Sequence, residues 1–252
     1  MNLMTTARGL RLQALFLFLI LLLPLSLRAS TDDLFREGTN AFAVGDYGRA
    51  ARAFGDAAAQ RPATGTLQNL GNAEWKLGNA GSAILAWERA LWLDPFNGQV
   101  HNNLRFARRN AQLETPELTW YEVVSTWLPV NWWALIAGFS FWLAVAMGLL
   151  PGIFRWRKAV WHQAVAALGL AVFLLSLPAH LGVNTRSRIG FVLQKNTPLR
   201  LTPTEDSQFV TRLAAGEPAR LERTRGRFVL IRTNHTVGWV EKSQLGLIAH
   251  RA

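Results

Sequence analysis

Cysteine is absent from the 252 residues, which excludes a disulfide framework, a thiolate metal site and a cysteine nucleophile. That absence is compatible with an oxidising compartment. Histidine is sparse: five residues, scattered along the chain with no metal-type spacing. No Ser/His/Asp set and no phosphate-binding glycine loop is recognisable, so the pattern points away from an enzyme and from a bound cofactor or metal. The chain has no acidic residue in either of its two long apolar segments, Trp132–Phe154 and Ala159–Gly182. An intramembrane proton relay would need one. His162 and His180 in the second segment share a helical face, and each is expected near a segment end at headgroup level.

Hydrophobic side chains and positive charge are what the chain has in quantity. Half of the residues are hydrophobic and the net charge is +11. Arg186–Ala252 alone carries +7 of it. A basic chain first brings nucleic acid to mind, but the apolar segments direct the argument to a membrane instead. Seven of the eleven tryptophans fall between Trp120 and Trp161, the loading expected where amphipathic rings sit at bilayer interfaces.

Residues 1–29 read as a secretory signal. Arg8 and Arg11 precede an apolar run from Leu12 to Leu23, and small residues close it at Ala29. The segment is removed after Ala29 or kept as an anchor. Trp132–Phe154 and Ala159–Gly182 are each long enough to cross ~30 Å of hydrocarbon as helices. The short basic loop Arg155–Lys158 between them belongs in the cytoplasm. Together with the signal, this places both flanking soluble parts on the outer, periplasmic face of the inner membrane.

Six residues recur at one offset in the first half. Gly38, Gly45, Ala50, Phe54, Ala57 and Pro62 return 33 positions later as Gly71, Gly78, Ala83, Trp87, Ala90 and Pro95. A repeat of that length is a helical hairpin that must stack on a copy to bury its apolar face. The expected units are 31–63 and 64–96, closed by a helix at 100–112. Thr31-Asp32 is expected to cap the first helix. Leu104 and Ala107 would seal the last apolar face, with Arg105, Arg108 and Arg109 outside. The residue order resembles the tetratricopeptide repeat, an all-α solenoid. That resemblance implies a concave groove lined by the first helix of each pair: Phe35, Thr39 and Phe42, then Gln68, Asn69, Asn72 and Trp75. Asparagine can satisfy a bound peptide backbone and rings supply apolar area. Phe42 and Trp75 suit the groove and the core alike.

From Ile189 the pattern shortens and alternates. Strands are expected at Gly190–Leu193, Phe209–Leu213, Ala219–Arg223, Phe228–Arg232 and Val237–Glu241, with turns at Ala215-Gly216, Arg225-Gly226 and Asn234-His235, giving a small all-β barrel. The order Leu199-Arg200, Ala215-Gly216-Glu217, Arg225-Gly226-Arg227-Phe228 and Val237-Gly238-Trp239-Val240 resembles a bacterial SH3-like domain over 186–252. Arg220, Arg223, Arg225, Arg227 and Arg232 crowd one hairpin there. They form either a solvated face or a contact for anionic headgroups or wall polymers.

The full arrangement of signal, repeats, membrane hairpin and barrel resembles the E component of the bacterial aerotolerance (Bat) proteins. Local matches are Ala83-Ile84-Leu85-Ala86-Trp87-Glu88-Arg89-Ala90-Leu91-Trp92-Leu93-Asp94-Pro95, Asn103-Leu104-Arg105-Phe106-Ala107-Arg108 and Asn131-Trp132-Trp133-Ala134-Leu135. The resemblance implies a membrane-anchored scaffold that works with membrane proteins carrying von Willebrand A-type domains and with a MoxR-type AAA ATPase. The competing class is an envelope-anchoring module that binds peptidoglycan through the basic barrel.

Overall fold

A computed structural model describes residues 31–154 and 160–249. The signal segment 1–29, the basic loop 155–158 and the last three residues lie outside the described residues, and with them the expectations placed there.

The 33-residue offset becomes two helical hairpins whose helices begin and end 33 residues apart. Helix α1 spans 31–43 and α2 Tyr47–Gln60; α3 spans Thr64–Lys76 and α4 Ala80–Leu93. Both hairpins turn on a glycine with left-handed backbone, Gly45 at φ 83° and Gly78 at φ 81°, where a side chain would be strained. Gly38 and Gly71 let the helices meet over a ring. A Cβ on Gly38 would stand 2.7 Å from the Phe54 ring, and one on Gly71 would collide with the Trp87 indole. The paired alanines Ala50 and Ala83, and Ala57 and Ala90, are fully buried. Thr31 lies inside the helix rather than capping it, its hydroxyl donating to Gln60 Oε1 at 3.2 Å.

Helix α5, Gly98–Ala111, closes the stack. Asn97 caps it by accepting from the Val100 N–H at 3.1 Å, and Gln112 in left-handed conformation ends it. Leu104 and Ala107 are buried as expected. Arg108 does not stay outside with Arg105 and Arg109. It turns inward to pair with Glu88, and both side chains are largely buried.

A linker then leads to a short helix that sequence periodicity does not reveal, α6 at Trp120–Ser125. Two helices long and apolar enough to cross a membrane follow, α7 at Val130–Ile153 and α8 at Val160–Arg186. They pack on each other as an antiparallel pair and expose most of their apolar side chains. Helix α8 runs four residues beyond the expected end, so Pro178 and His180 lie well inside it. His162 lies in the first turn of α8 and is buried.

Seven antiparallel strands complete the chain in the order β3-β2-β6-β5-β4-β1-β7. They are β1 Ile189–Val192, β2 Thr197–Arg200, β3 Phe209–Leu213, β4 Pro218–Arg225, β5 Phe228–Arg232, β6 Val237–Glu241 and β7 Leu245–Leu247. Three of the five expected strands have the expected bounds. β2 and β7 are additional. The sheet bends through irregularities at Leu199/Arg200 and Leu221/Arg223, as bulged strands do. Its own core gathers Val192, Leu199, Leu213, Ala219, Val229, Ile231 and Val240.

Strand β1, between β4 and the edge strand β7, is buried on both faces and joins two cores. Val192 points into the sheet core, while Ile189 and Phe191 pack with Ile84, Leu85, Trp87 and Leu104 of the helical stack. Alternate side chains of a strand point to opposite sides, so four residues serve both layers. Arg89 Nε donates to the Leu247 carbonyl at 3.0 Å across the same seam. The sheet is therefore seated on α4.

Candidate functional site

Docking the sheet on α4 leaves the opposite side of the stack, formed by α1, α3 and α5, open. There Phe42, Asn72, Trp75, Lys76, Trp87, Asn103 and Phe106 line a cavity of about 280 Å³. Trp75 anchors it, with its ring 5.9 Å from that of Trp87 and 5.8 Å from that of Phe106 in an edge-on arrangement. Trp75 is half-buried and packs on the core below, whereas Phe106 is 61% exposed. Groove and core are thus shared by one ring.

Asn72 is not free to serve a ligand through its carbonyl. That oxygen accepts from Trp87 Nε1 at 3.2 Å and from Asn103 Nδ2 at 2.9 Å. The indole N–H also reaches the Gln68 carbonyl at 3.3 Å. A buried indole needs such an acceptor, so Asn72 first satisfies the tryptophan that distinguishes the second hairpin. Gln68 is engaged too, donating to Gln99 at 2.7 Å and accepting from Asn97 at 3.2 Å. Asn72 and Gln68 thus tie α3 to α4 and α5.

The remaining expected groove residues fall elsewhere. Phe35 packs edge-on against Phe54 at 5.6 Å and belongs to the first core. Thr39 is exposed and bonds back to the Phe35 carbonyl at 2.9 Å. Asn69 is half-buried on α3, away from the cavity. Phe42, Asn72 and Trp75 are brought together; Phe35, Thr39, Gln68 and Asn69 are not part of that wall. Lys76, Asn103 and Phe106 complete it. The last two sit beside the buried Leu104 and Ala107 stripe of α5, and that flank was the available sequence signal.

The five arginines do not make one patch. Arg220 reaches away to Glu122 of α6, at 2.7 Å to one carboxylate oxygen and 3.1 Å to the other, and also donates to the Thr185 and Glu117 carbonyls. Arg232 pairs with Glu222 at 2.7 Å, and Arg227 pairs with Glu205. Among the described residues, Arg223 and Arg225 have no ion-pair partner.

Glu122 is fully buried. Burial alone pushes its carboxyl up. Hydrogen bonds from Arg220, the Thr119 backbone N–H and Thr185, with the Arg220 charge, outweigh that and hold it at about 2. It is an ionised, caged carboxylate joining α6 to the sheet. Glu114 is lowered by Asn234 and His235, a second tie between the linker and the sheet. No cluster of three His, Asp or Glu side chains suited to a metal ion occurs among the described residues.

Comparison with models of known protein families and with curated proteins returns no match for this chain.

Proposed function

We propose that the chain is a membrane-anchored scaffold whose helical groove recruits a partner protein. The observation that carries this reading is the open wall of Phe42, Trp75 and Phe106 with the single cation Lys76, on a side of the stack that neither the sheet nor the apolar helices cover. One exposed and two half-buried rings over a packed floor supply the anchor that dominates binding surfaces, and a lysine at the rim favours a segment with an acidic neighbour.

On this reading the two hairpins are tetratricopeptide repeats and the sheet is a bacterial SH3-like domain. The chain is then an E-type aerotolerance protein whose partners carry von Willebrand A-type domains and act with a MoxR-type ATPase. Stacked hairpins built on the 33-residue offset and two apolar helices in the expected order support it. Helices α7 and α8 cross the inner membrane, and the groove and the sheet face the periplasm.

The test is co-purification of the full chain from detergent-solubilised membranes, with partners identified by mass spectrometry. Phe106→Ala and Lys76→Glu together remove an exposed ring and reverse the rim charge without touching the Asn72 network. They should abolish recovery of a von Willebrand A-type membrane protein. Unchanged recovery would overturn the groove assignment. Active alkaline phosphatase fused after Leu118 and, separately, after Ala252 checks the outward orientation; inactivity in either refutes it.

The exposed, unpaired Arg223 and Arg225 favour the second reading, an envelope anchor for peptidoglycan or anionic polymers. Sedimentation with isolated cell wall that is lost in the double Arg223→Ala, Arg225→Ala variant would shift the weight to it.

A further inference from the structure

Helix α6 is built with two unlike faces. Thr119 and Glu122 form a reciprocal capping box that lets six residues stand as a helix. Glu122 and Ser125 are 0% and 2% exposed and turn toward α8 and the sheet. Trp120, Val123 and, just past the helix, Trp127 lie on the opposite side at the i, i+3, i+7 spacing of one stripe. They are 68%, 43% and 61% exposed, and no charged residue interrupts the stripe.

The level of α6 along α8 is set by contacts. Gly182 of α8 leaves room for the Tyr121 carbonyl and the Ser125 side chain. Arg186 donates to Ser125 Oγ at 3.0 Å, and Trp133 at the start of α7 donates from Nε1 to the Ser125 carbonyl at 3.2 Å. The stripe therefore stands beside the last turn of α8, where the apolar surface ends and Arg186 and the exposed Arg188 begin. A few residues further along the chain, Trp132, Leu135 and Phe139 of α7 are likewise exposed. An apolar stripe rich in tryptophan, level with the first arginines beyond an apolar helix, matches the chemistry of a headgroup and acyl boundary.

We propose that α6 is a membrane-interface helix, with Trp120, Val123 and Trp127 seated in the boundary of the bilayer that α7 and α8 cross, and with Glu122 holding the sheet at fixed height through Arg220. The proposal rests on the reading of α7 and α8 as spanning helices. Its occupant is the lipid surface itself, because contacts from Gly182 and Arg186 hold the stripe level with the end of the apolar surface of α8.

The absence of cysteine makes the test direct. Single variants Val123→Cys, Trp127→Cys, Leu175→Cys and Arg223→Cys of the full chain are spin-labelled in vesicles of phosphatidylethanolamine and phosphatidylglycerol. Collisions with oxygen and with a water-soluble nickel chelate are then compared. Leu175 is 74% exposed in the middle of α8 and reports on spanning; Arg223 reports on water. The Val123 and Trp127 labels should favour oxygen over nickel, at a shallower depth than the Leu175 label. Nickel access equal to that of the Arg223 label, with Leu175 still in lipid, overturns the α6 proposal and leaves spanning intact. Nickel access at Leu175 overturns both.

Discussion

The second hairpin carries Leu85, Arg89 and Trp92 where the first, 33 residues earlier, carries Arg52, Asp56 and Ala59. The three residues of the first copy are exposed. In the second copy, Leu85 is 8% exposed beneath the sheet. Arg89 bonds the Leu247 carbonyl, and the Trp92 ring receives the Arg186 guanidinium at 5.0 Å. A Cβ on Gly48 would meet only the Arg52 and Asp46 side chains, at 3.7 and 3.9 Å, while its counterpart Gly81 lies against the Val192 and Leu193 carbonyls. Positions that agree between the copies hold each hairpin together. Those that differ mark where the second copy meets another part of the molecule. In a repeat protein, departures from the repeat thus reveal docking surfaces that the matches conceal.

Transplanting residues between the copies tests this, and the largest effect belongs to the seam. Leu85→Arg, which installs the residue of the first copy, buries an unpaired charge and removes core volume, a loss of about 3 kcal/mol or more. Hydrogen exchange at the β1 amides should rise sharply while α1 and α2 keep their protection. Equal exchange in both regions would show that the sheet does not depend on α4.

Next comes the other tie. Glu122→Gln leaves Arg220 facing a neutral partner and should cost about 2–4 kcal/mol, toward the lower end because the Arg220 side chain keeps 29% exposure. The pH dependence has a definite sign. A carboxyl ordinarily near 4.5 and held at about 2 in the folded chain binds its proton more readily when unfolded. Its contribution is fully present above 4.5 and is lost as pH falls toward about 2. Unfolding midpoints measured across that window should slope for the natural chain and flatten in Glu122→Gln.

Smaller and symmetric is the effect of overpacking. Ala50→Leu and Ala83→Leu each enlarge a fully buried helix crossing and should each cost ~1–3 kcal/mol. Thermal melts of the two variants should agree within about 0.5 kcal/mol if the copies are equivalent internally. Smallest of all, Arg52→Leu puts the residue of the second copy on a surface nothing covers. It should shift stability by no more than about 0.5 kcal/mol, and a larger gain in the same melt would mean that α2 also has a docked partner.

Periodicity revealed the elements that are long or repeated. It located both hairpins, the two apolar helices and, to the residue, β3, β5 and β6. It passed over α6 because six residues give less than two turns of pattern, and β7 because it has three residues. β2 has four residues and includes Pro198, a residue uncommon within strands. Of the candidate groove, Trp75 and Phe42 were legible because they hold equivalent positions, 33 residues apart, on the first helices of the two hairpins. Asn72 was legible as a position but not as a role, since only the meeting of α3, α4 and α5 shows that its oxygen is taken by Trp87 and Asn103.

The sequence by itself determined the local structure: where hairpins turn, which faces are apolar, and that two segments suit hydrocarbon. Short-range sterics and the burial of apolar side chains fix those choices within a few residues of chain. Only the tertiary structure decided that Arg220 is an internal clamp 98 residues from its partner Glu122, that β1 serves two cores, and that one side of the helical stack stays open. An arginine is charged wherever it stands. Whether that charge meets solvent or a buried carboxylate depends on which distant segments pack beside it, and a linear pattern carries no term for that.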